Sequence, residues 1–263
     1  MSLDVMHARV AFRDRAFIDV MDLALRFLAV HGKLYAKISL IALTPCIALT
    51  LLAAWAWGWT GAWIVAALLS FVAQVPFTVL ASRLVFQEKV AARAVIRAAV
   101  RELPRIVMMR IGWVLAIGAG ALFLVAPGIW LGSIFLFVDE VMILERSPLG
   151  PSFGRSNRIA TGNMGDAILG VLMVMLVPAL AVLLADVGGR AFLGELLQFR
   201  PPAPLWTAGG SVLAIVGFFA IVPYVTTARF FTYLNMRTRA EGWDIQTRFA
   251  AIAARSQQHE EAA

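Results

Sequence analysis

From Ile38 the chain enters a run of roughly 20 apolar residues that ends near Trp57, the length an α-helix needs to cross a hydrocarbon core about 30 Å thick. Inside such a core every backbone N–H and C=O must find its partner within the protein, which restricts spanning segments to helices or closed barrels. Five more runs follow: Ala62 to Phe86, Ile106 to Ala126, Ile129 to Leu144, Ala167 to Ala185 and Leu205 to Phe231. The expected fold is therefore an all-α, polytopic bundle of six transmembrane helices. Composition agrees, because 61% of residues are hydrophobic and only 15% charged, where soluble proteins carry about 25%.

Topology follows from the placement of the cations. Of 23 Lys and Arg, all but Arg190 and Arg200 fall in segments that a six-span path puts on one side, and the positive-inside rule makes that side the cytoplasm. Both termini are then cytoplasmic. Trp57, Trp59, Trp63, Trp130 and Trp206 gather at the opposite interface, where indoles favour the headgroup level. The net charge of +7 is thus explained by an anionic lipid surface; no nucleic-acid motif accompanies it. The first thirty residues mix Asp14, Asp19 and Asp22 with arginines, unlike a cleavable leader, so the N-terminus is expected to be retained.

Taken in order, the chain divides into an N-terminal amphipathic segment (1–37), the six-span region (38–233) and a cytoplasmic tail (234–263). Arg15, Asp19, Asp22 and Arg26 recur on one helical face opposite Phe17, Val20, Met21, Ala24 and Leu28, which predicts an interfacial helix from Arg9 to Gly32, resting on lipid or on the bundle. The glycines of Trp57 to Trp63 are expected to reverse the chain, Pro76 to kink the second span beside Gln74, and Pro104 to end a basic helix. In that helix Lys89, Arg93, Arg97 and Arg101 form a ridge at four-residue spacing. It is either a solvated positive face or a contact for anionic headgroups. Pro127-Gly128 reads as a turn, Asp186 to Pro204 as an external loop with a short apolar helix, Pro223 as a kink, and Asp244 as the cap of a short amphipathic helix in the tail, which ends in a disordered SQQHEEAA. A basic or amphipathic helix followed by two spans recurs weakly three times, from near Arg15, Glu88 and Ser152.

Charges within the apolar runs are the candidate functional residues. Asp139 and Glu140 are adjacent in the fourth run, and Arg83, Arg110 and Arg229 interrupt others. A charge at the centre of a bilayer costs at least about 3 kcal/mol, so such groups face partners. Counting inward from the cytoplasmic ends puts all of them within about two turns of that face, and Arg110 and Arg229 are expected to neutralise the two acids. The network is then a structural staple, or a polar cavity in which the acids take a cation or proton or the arginines a lipid phosphate. Adjacent acids point about 100° apart and do not form one bidentate clamp.

Catalysis has little to stand on. The histidines are His7, His31 and His259, the one cysteine is Cys46, and the chain has no Ser/His/Asp set, no metal-ligand spacing and no phosphate loop, so neither enzyme activity nor a cofactor is expected.

The Pro127-Gly128-Ile129-Trp130-Leu131 opening of the fourth run, Glu145 at its close, Arg155-Ser156 and Gly162 beyond it, and the tail pattern Tyr233, Arg237, Arg239, Glu241-Gly242-Trp243-Asp244 resemble the bacterial six-span family named after the glycerophosphodiester phosphodiesterase membrane domain. Asn235 and Gln246 stand where that pattern usually has acids. The resemblance implies a domain of the bacterial inner membrane. It does not import the phosphodiesterase, whose separate domain, with its His-Arg pair and metal-binding acids, has no counterpart in this sequence.

Two functions fit these observations. One is a non-enzymatic membrane scaffold or envelope-associated factor acting through anionic lipids and protein partners, compatible with a homo-oligomer. The other is a transporter or lipid-handling protein using the charged layer.

Overall fold

The computed structural model describes residues 15–87, 90–123, 125–145 and 148–241; most of these are helical and none forms a strand. Among the described residues four stretches are long and apolar enough to cross a membrane: Gly32–Phe86, Pro127–Glu145, Met164–Leu196 and Val212–Ala240.

Helix α1 (Phe17–Val30) buries Val20, Ala24 and Phe27, a stripe at steps of four and three that seats it on the last helix of the bundle. Phe27 meets Phe231 edge-on, with ring centroids 5.0 Å apart. The opposite face carries the exposed Asp22–Arg26 pair at 2.8 Å. The interfacial segment therefore rests on protein along its apolar stripe.

Helix α2 (Gly32–Phe86) has 55 residues, which would extend about 80 Å if straight. It is not straight. The rings of Tyr35 and Phe77 stack at 6.2 Å, so the element doubles back, and the reversal lies at Gly58, whose φ of 73° and ψ of −178° belong to a region essentially reserved for glycine. The arm that follows stays helical through Pro76, so the expected kink does not break it. Because the first arm starts at Gly32, the expected boundary at residue 38 falls inside a helix.

Helix α3 (Ala92–Phe123) continues through Pro104, contrary to the expected stop. The carbonyl that a proline at 104 leaves without a donor is that of Val100, which lies on an exposed face where water can satisfy it. Arg93, Arg97 and Arg101 of the basic ridge and the third apolar run as far as Phe123 lie on one helix.

Pro127-Gly128 is likewise not a turn. Both lie in the first turn of α4 (Val125–Phe135), where an N–H has no intrahelical acceptor to lose. The fourth run is instead interrupted at Leu136 and Phe137, and α5 (Val138–Glu145) resumes with Asp139 and Glu140 in its first turn. Carboxylates are favoured there by the helix dipole.

Helix α6 (Leu149–Gly162) leads into α7 (Met164–Ala191), which a π-helical turn extends from Phe192 to Leu196. The region expected as a loop from Asp186 is therefore largely helical. The last apolar run is divided among α8 (Leu205–Ala208), α9 (Val212–Ala220) and α10 (Val222–Glu241). Gly209, at φ 76°, terminates α8. The Ser211 side chain caps α9 by accepting from the Ala214 N–H at 3.0 Å. The helix breaks again at Ile221 because Pro223 offers no N–H to the Phe219 carbonyl. Beyond it α10 runs unbroken past the expected tail boundary at 234, with Leu234, Met236 and Thr238 buried. Asp244 and the tail helix expected after it lie outside the described residues.

Candidate functional site

Four elements bring the intramembrane charges together. Arg110 projects from α3, Asp139 and Glu140 from α5, Arg229 from α10, and the second arm of α2 closes the group with Phe71 and Gln74. All four ionic side chains are buried, with relative exposures of 1% for Arg110, 3% for Asp139, 0% for Glu140 and 4% for Arg229.

The hydrogen bonds use most of the donor geometry of the two guanidinium groups. Arg110 Nε donates to Asp139 Oδ2 at 2.8 Å and its Nη2 donates to the same oxygen, while Nη1 donates to the Phe71 carbonyl at 2.9 Å. The Phe71 ring lies 5.6 Å from the Arg110 guanidinium carbon, within cation–π range. Arg229 spans both acids, with Nε donating to Glu140 Oε1 at 2.7 Å and Nη2 to Asp139 Oδ2 at 3.1 Å. Its Nη1 donates to Gln74 Oε1 at 3.2 Å. Two cations thus face two anions, so the cluster is neutral, as burial requires. Asp139 Oδ1 and Glu140 Oε2 are buried and have no hydrogen-bond partner; they are the places where the cluster can still accept.

The sequence identified Arg110, Asp139, Glu140 and Arg229, and these four meet in one cluster. Gln74 lies twelve residues, or about 18 Å, from the Phe86 end of α2, and Glu140 five residues from the Glu145 end of α5. Arg83 is nine residues beyond Gln74 on the same arm, about 13 Å along the axis, and forms no ion pair with a described residue. It does not belong to the network. Gln74 had a legible signal, a lone amide in an apolar run. The Phe71 carbonyl had none.

A second cluster sits one helical turn toward the charged end of α5. Glu145 Oε1 accepts from Arg155 Nε at 3.0 Å and from the Tyr233 hydroxyl at 3.0 Å, and Arg237 Nη1 lies 3.4 Å away. Nearby, Ser156 Oγ donates to the Ile134 carbonyl at 2.6 Å. Arg239 pairs with Asp166 at 2.6 Å and donates to the Arg15 carbonyl at 2.7 Å. Asn235 holds the same backbone through both amide atoms, accepting from the Arg15 N–H at 3.1 Å and donating to the Arg15 carbonyl at 3.0 Å. An acid at 235 has no N–H with which to donate.

Arg93, Arg97 and Arg101 are exposed along one face of α3, whereas Lys89, Gly242 and Asp244 lie outside the described residues. Pro127 and Gly128 open α4, Gly162 ends α6 and Glu241 ends α10. These four are separate from the charge cluster.

Asp186 was not singled out from sequence. It is fully buried on α7, where Oδ1 accepts from the Ser211 hydroxyl and Oδ2 from the Leu205 N–H at 3.1 Å. An acid at the end of an apolar run looks like a solvated boundary, and its partners come from 19 and 25 positions away.

Among the described residues no group of His, Cys, Asp and Glu could hold a metal ion. Comparison with protein-family models, curated proteins and solved structures found no match for this chain.

Proposed function

We propose that the protein is a non-enzymatic scaffold or envelope-associated factor of the bacterial inner membrane. In this reading Gly32–Phe86 contributes two spans and α3 a further one, giving six in all, with both termini in the cytoplasm. The exposed Arg93, Arg97 and Arg101 face contacts anionic headgroups, and protein partners bind from the cytoplasmic side. The bacterial family resemblance and the weak threefold pattern belong to the same proposal.

One observation carries it: the arginines spend their donors on Asp139, Glu140, Gln74 and the Phe71 carbonyl at 1–4% exposure. A closed, neutral ion cluster locks helices together and leaves little for a cargo to bind. The two acid oxygens without partners favour the second reading, a transporter or lipid-handling protein in which they take up a proton, a cation or a lipid group.

Proteoliposomes separate the two. With interior dyes for protons and sodium and with a fluorescent phospholipid to follow flipping, a scaffold gives the rates of protein-free vesicles. A saturable flux or flipping rate that Glu140→Gln abolishes, in protein that stays folded, would establish the second reading instead.

A further inference from the structure

Between the second arm of α2, α7 and the α9–α10 junction lies an apolar slot of about 560 Å³. Trp63, Phe71 and Gln74 form one wall, Ala179 and Leu183 another, and Phe218 part of the third. Trp63 and Gln74 are eleven residues apart, about 16 Å along the arm, and half of a 30 Å hydrocarbon core is about 15 Å. The slot is one leaflet deep. At its inner end Gln74 turns Oε1 toward Arg229, so the slot stops on the outer wall of the ion cluster.

Its lining and length suit the occupant. The walls between Trp63 and Gln74 are mostly apolar side chains, and a single extended hydrocarbon chain of one leaflet matches the roughly 16 Å of the slot.

The other end of the slot supplies a charge. Arg190 lies on α7 seven positions beyond Leu183 and eight beyond Val182, on the same helical face. Its guanidinium stands 5.7 Å from the Trp206 ring centroid, and its buried Nε has no hydrogen-bond partner. The nearest acid along the helix, Asp186, has both oxygens committed to Ser211 and Leu205. No described carboxylate pairs with Arg190. Arg190 is at the end of α7 opposite Asp166, 24 residues or about 36 Å away, and so belongs to the leaflet opposite the Arg239–Asp166 pair.

We propose that this slot binds one acyl chain of an anionic phospholipid in that leaflet, with Arg190 meeting the lipid phosphate. An apolar groove one leaflet long with an uncompensated guanidinium beyond its mouth matches the two halves of such a molecule. The site rests on the membrane-spanning reading and not on the role of the ion cluster, so it can fail while the scaffold proposal stands, and the reverse.

The test is native mass spectrometry of delipidated protein titrated with phosphatidylglycerol or with phosphatidylcholine of the same chains. Wild type is expected to take up one phosphatidylglycerol at a tenfold or more lower concentration than any further lipid, and to prefer it to phosphatidylcholine. Ala179→Phe, which fills the slot from an exposed position, removes that first lipid. Arg190→Gln equalises the two headgroups, and Leu180→Phe, outside the slot, changes neither. If Ala179→Phe lowers the yield of folded protein, Met175→Trp at the exposed rim takes its place. Retention of the tight lipid in the slot-filling variant, or its absence from the wild type, overturns the site. Equal uptake of both lipids by the wild type overturns the role of Arg190.

Discussion

Arg229 and Glu140 stand 89 positions apart in the chain, and the Nε of one donates to Oε1 of the other across 2.7 Å. That bond joins α10 to α5, and the same guanidinium reaches Asp139. Removing one member of a buried ion pair usually costs about 3–5 kcal/mol, because the other charge is left unpaired. Arg229→Gln is therefore expected to lower the thermal unfolding midpoint in nanodiscs more than Glu140→Gln does. The double variant Arg229→Gln/Glu140→Gln should recover at least half of the loss, since Arg110 still neutralises Asp139. A double variant as unstable as the sum of the two singles would show that the residues do not act as a pair.

The two positive-φ glycines among the described residues should respond differently to the same substitution. Gly209, at φ 76° and ψ 1°, is in the left-handed region that asparagine tolerates, whereas Gly58, at ψ −178°, is in a region open essentially to glycine alone. Nothing lies within 4 Å of a Cβ built on Gly58, so any loss there is backbone strain. Gly58→Asn is expected to cost about 1–3 kcal/mol and Gly209→Asn well under that, both read from thermal midpoints.

Gly217 sets the separation of α7 and α9. A Cβ there would overlap the Ala185 Cβ and come within 2.7 Å of the Ala181 carbonyl oxygen. Small residues at such crossings allow backbones to approach closely in a membrane. Gly217→Ala should destabilise the protein by about 1–3 kcal/mol. Adding Ala185→Gly should restore only part of it, because the carbonyl clash remains.

Asn235 tests the attachment of α1. Asn235→Leu keeps the bulk but removes both hydrogen bonds to Arg15 while Arg239 still donates to its carbonyl, at a cost of about 1 kcal/mol. Hydrogen–deuterium exchange should rise across residues 17–30 while α5 and α7 keep their protection. Uniform acceleration across the chain would mean that the contact stabilises the whole bundle and not one helix.

The ionic partners were legible because neutrality leaves few choices: two acids in one apolar run require two cations in others, and Arg110 and Arg229 were available. Where a helix begins and ends was less legible, because reading boundaries from charges and prolines assumes that the helix stops where they stand. The long helix through Pro104 shows how that assumption fails. Local grammar also misled at Pro127-Gly128, since a proline in the first turn of a helix and a proline in a loop satisfy the same backbone constraint. Asp186 and the Ile221 break depend on contacts among α7, α8 and α9, which no run of adjacent residues encodes.

Helix α10 carries Arg229, Tyr233, Asn235, Arg237 and Arg239, and through them it touches α5, α7 and the backbone just before α1. It is also the last of these helices to leave the ribosome. During synthesis Glu140, Asp166 and the Arg15 backbone all precede the α10 groups that meet them, Glu145 has Arg155 but not yet Tyr233 or Arg237, and Asp139 has Arg110 alone. The nascent chain must therefore hold an incomplete set of charges until α10 arrives, and a ribosome that stalls before Val222 leaves these acids without the partners that α10 brings.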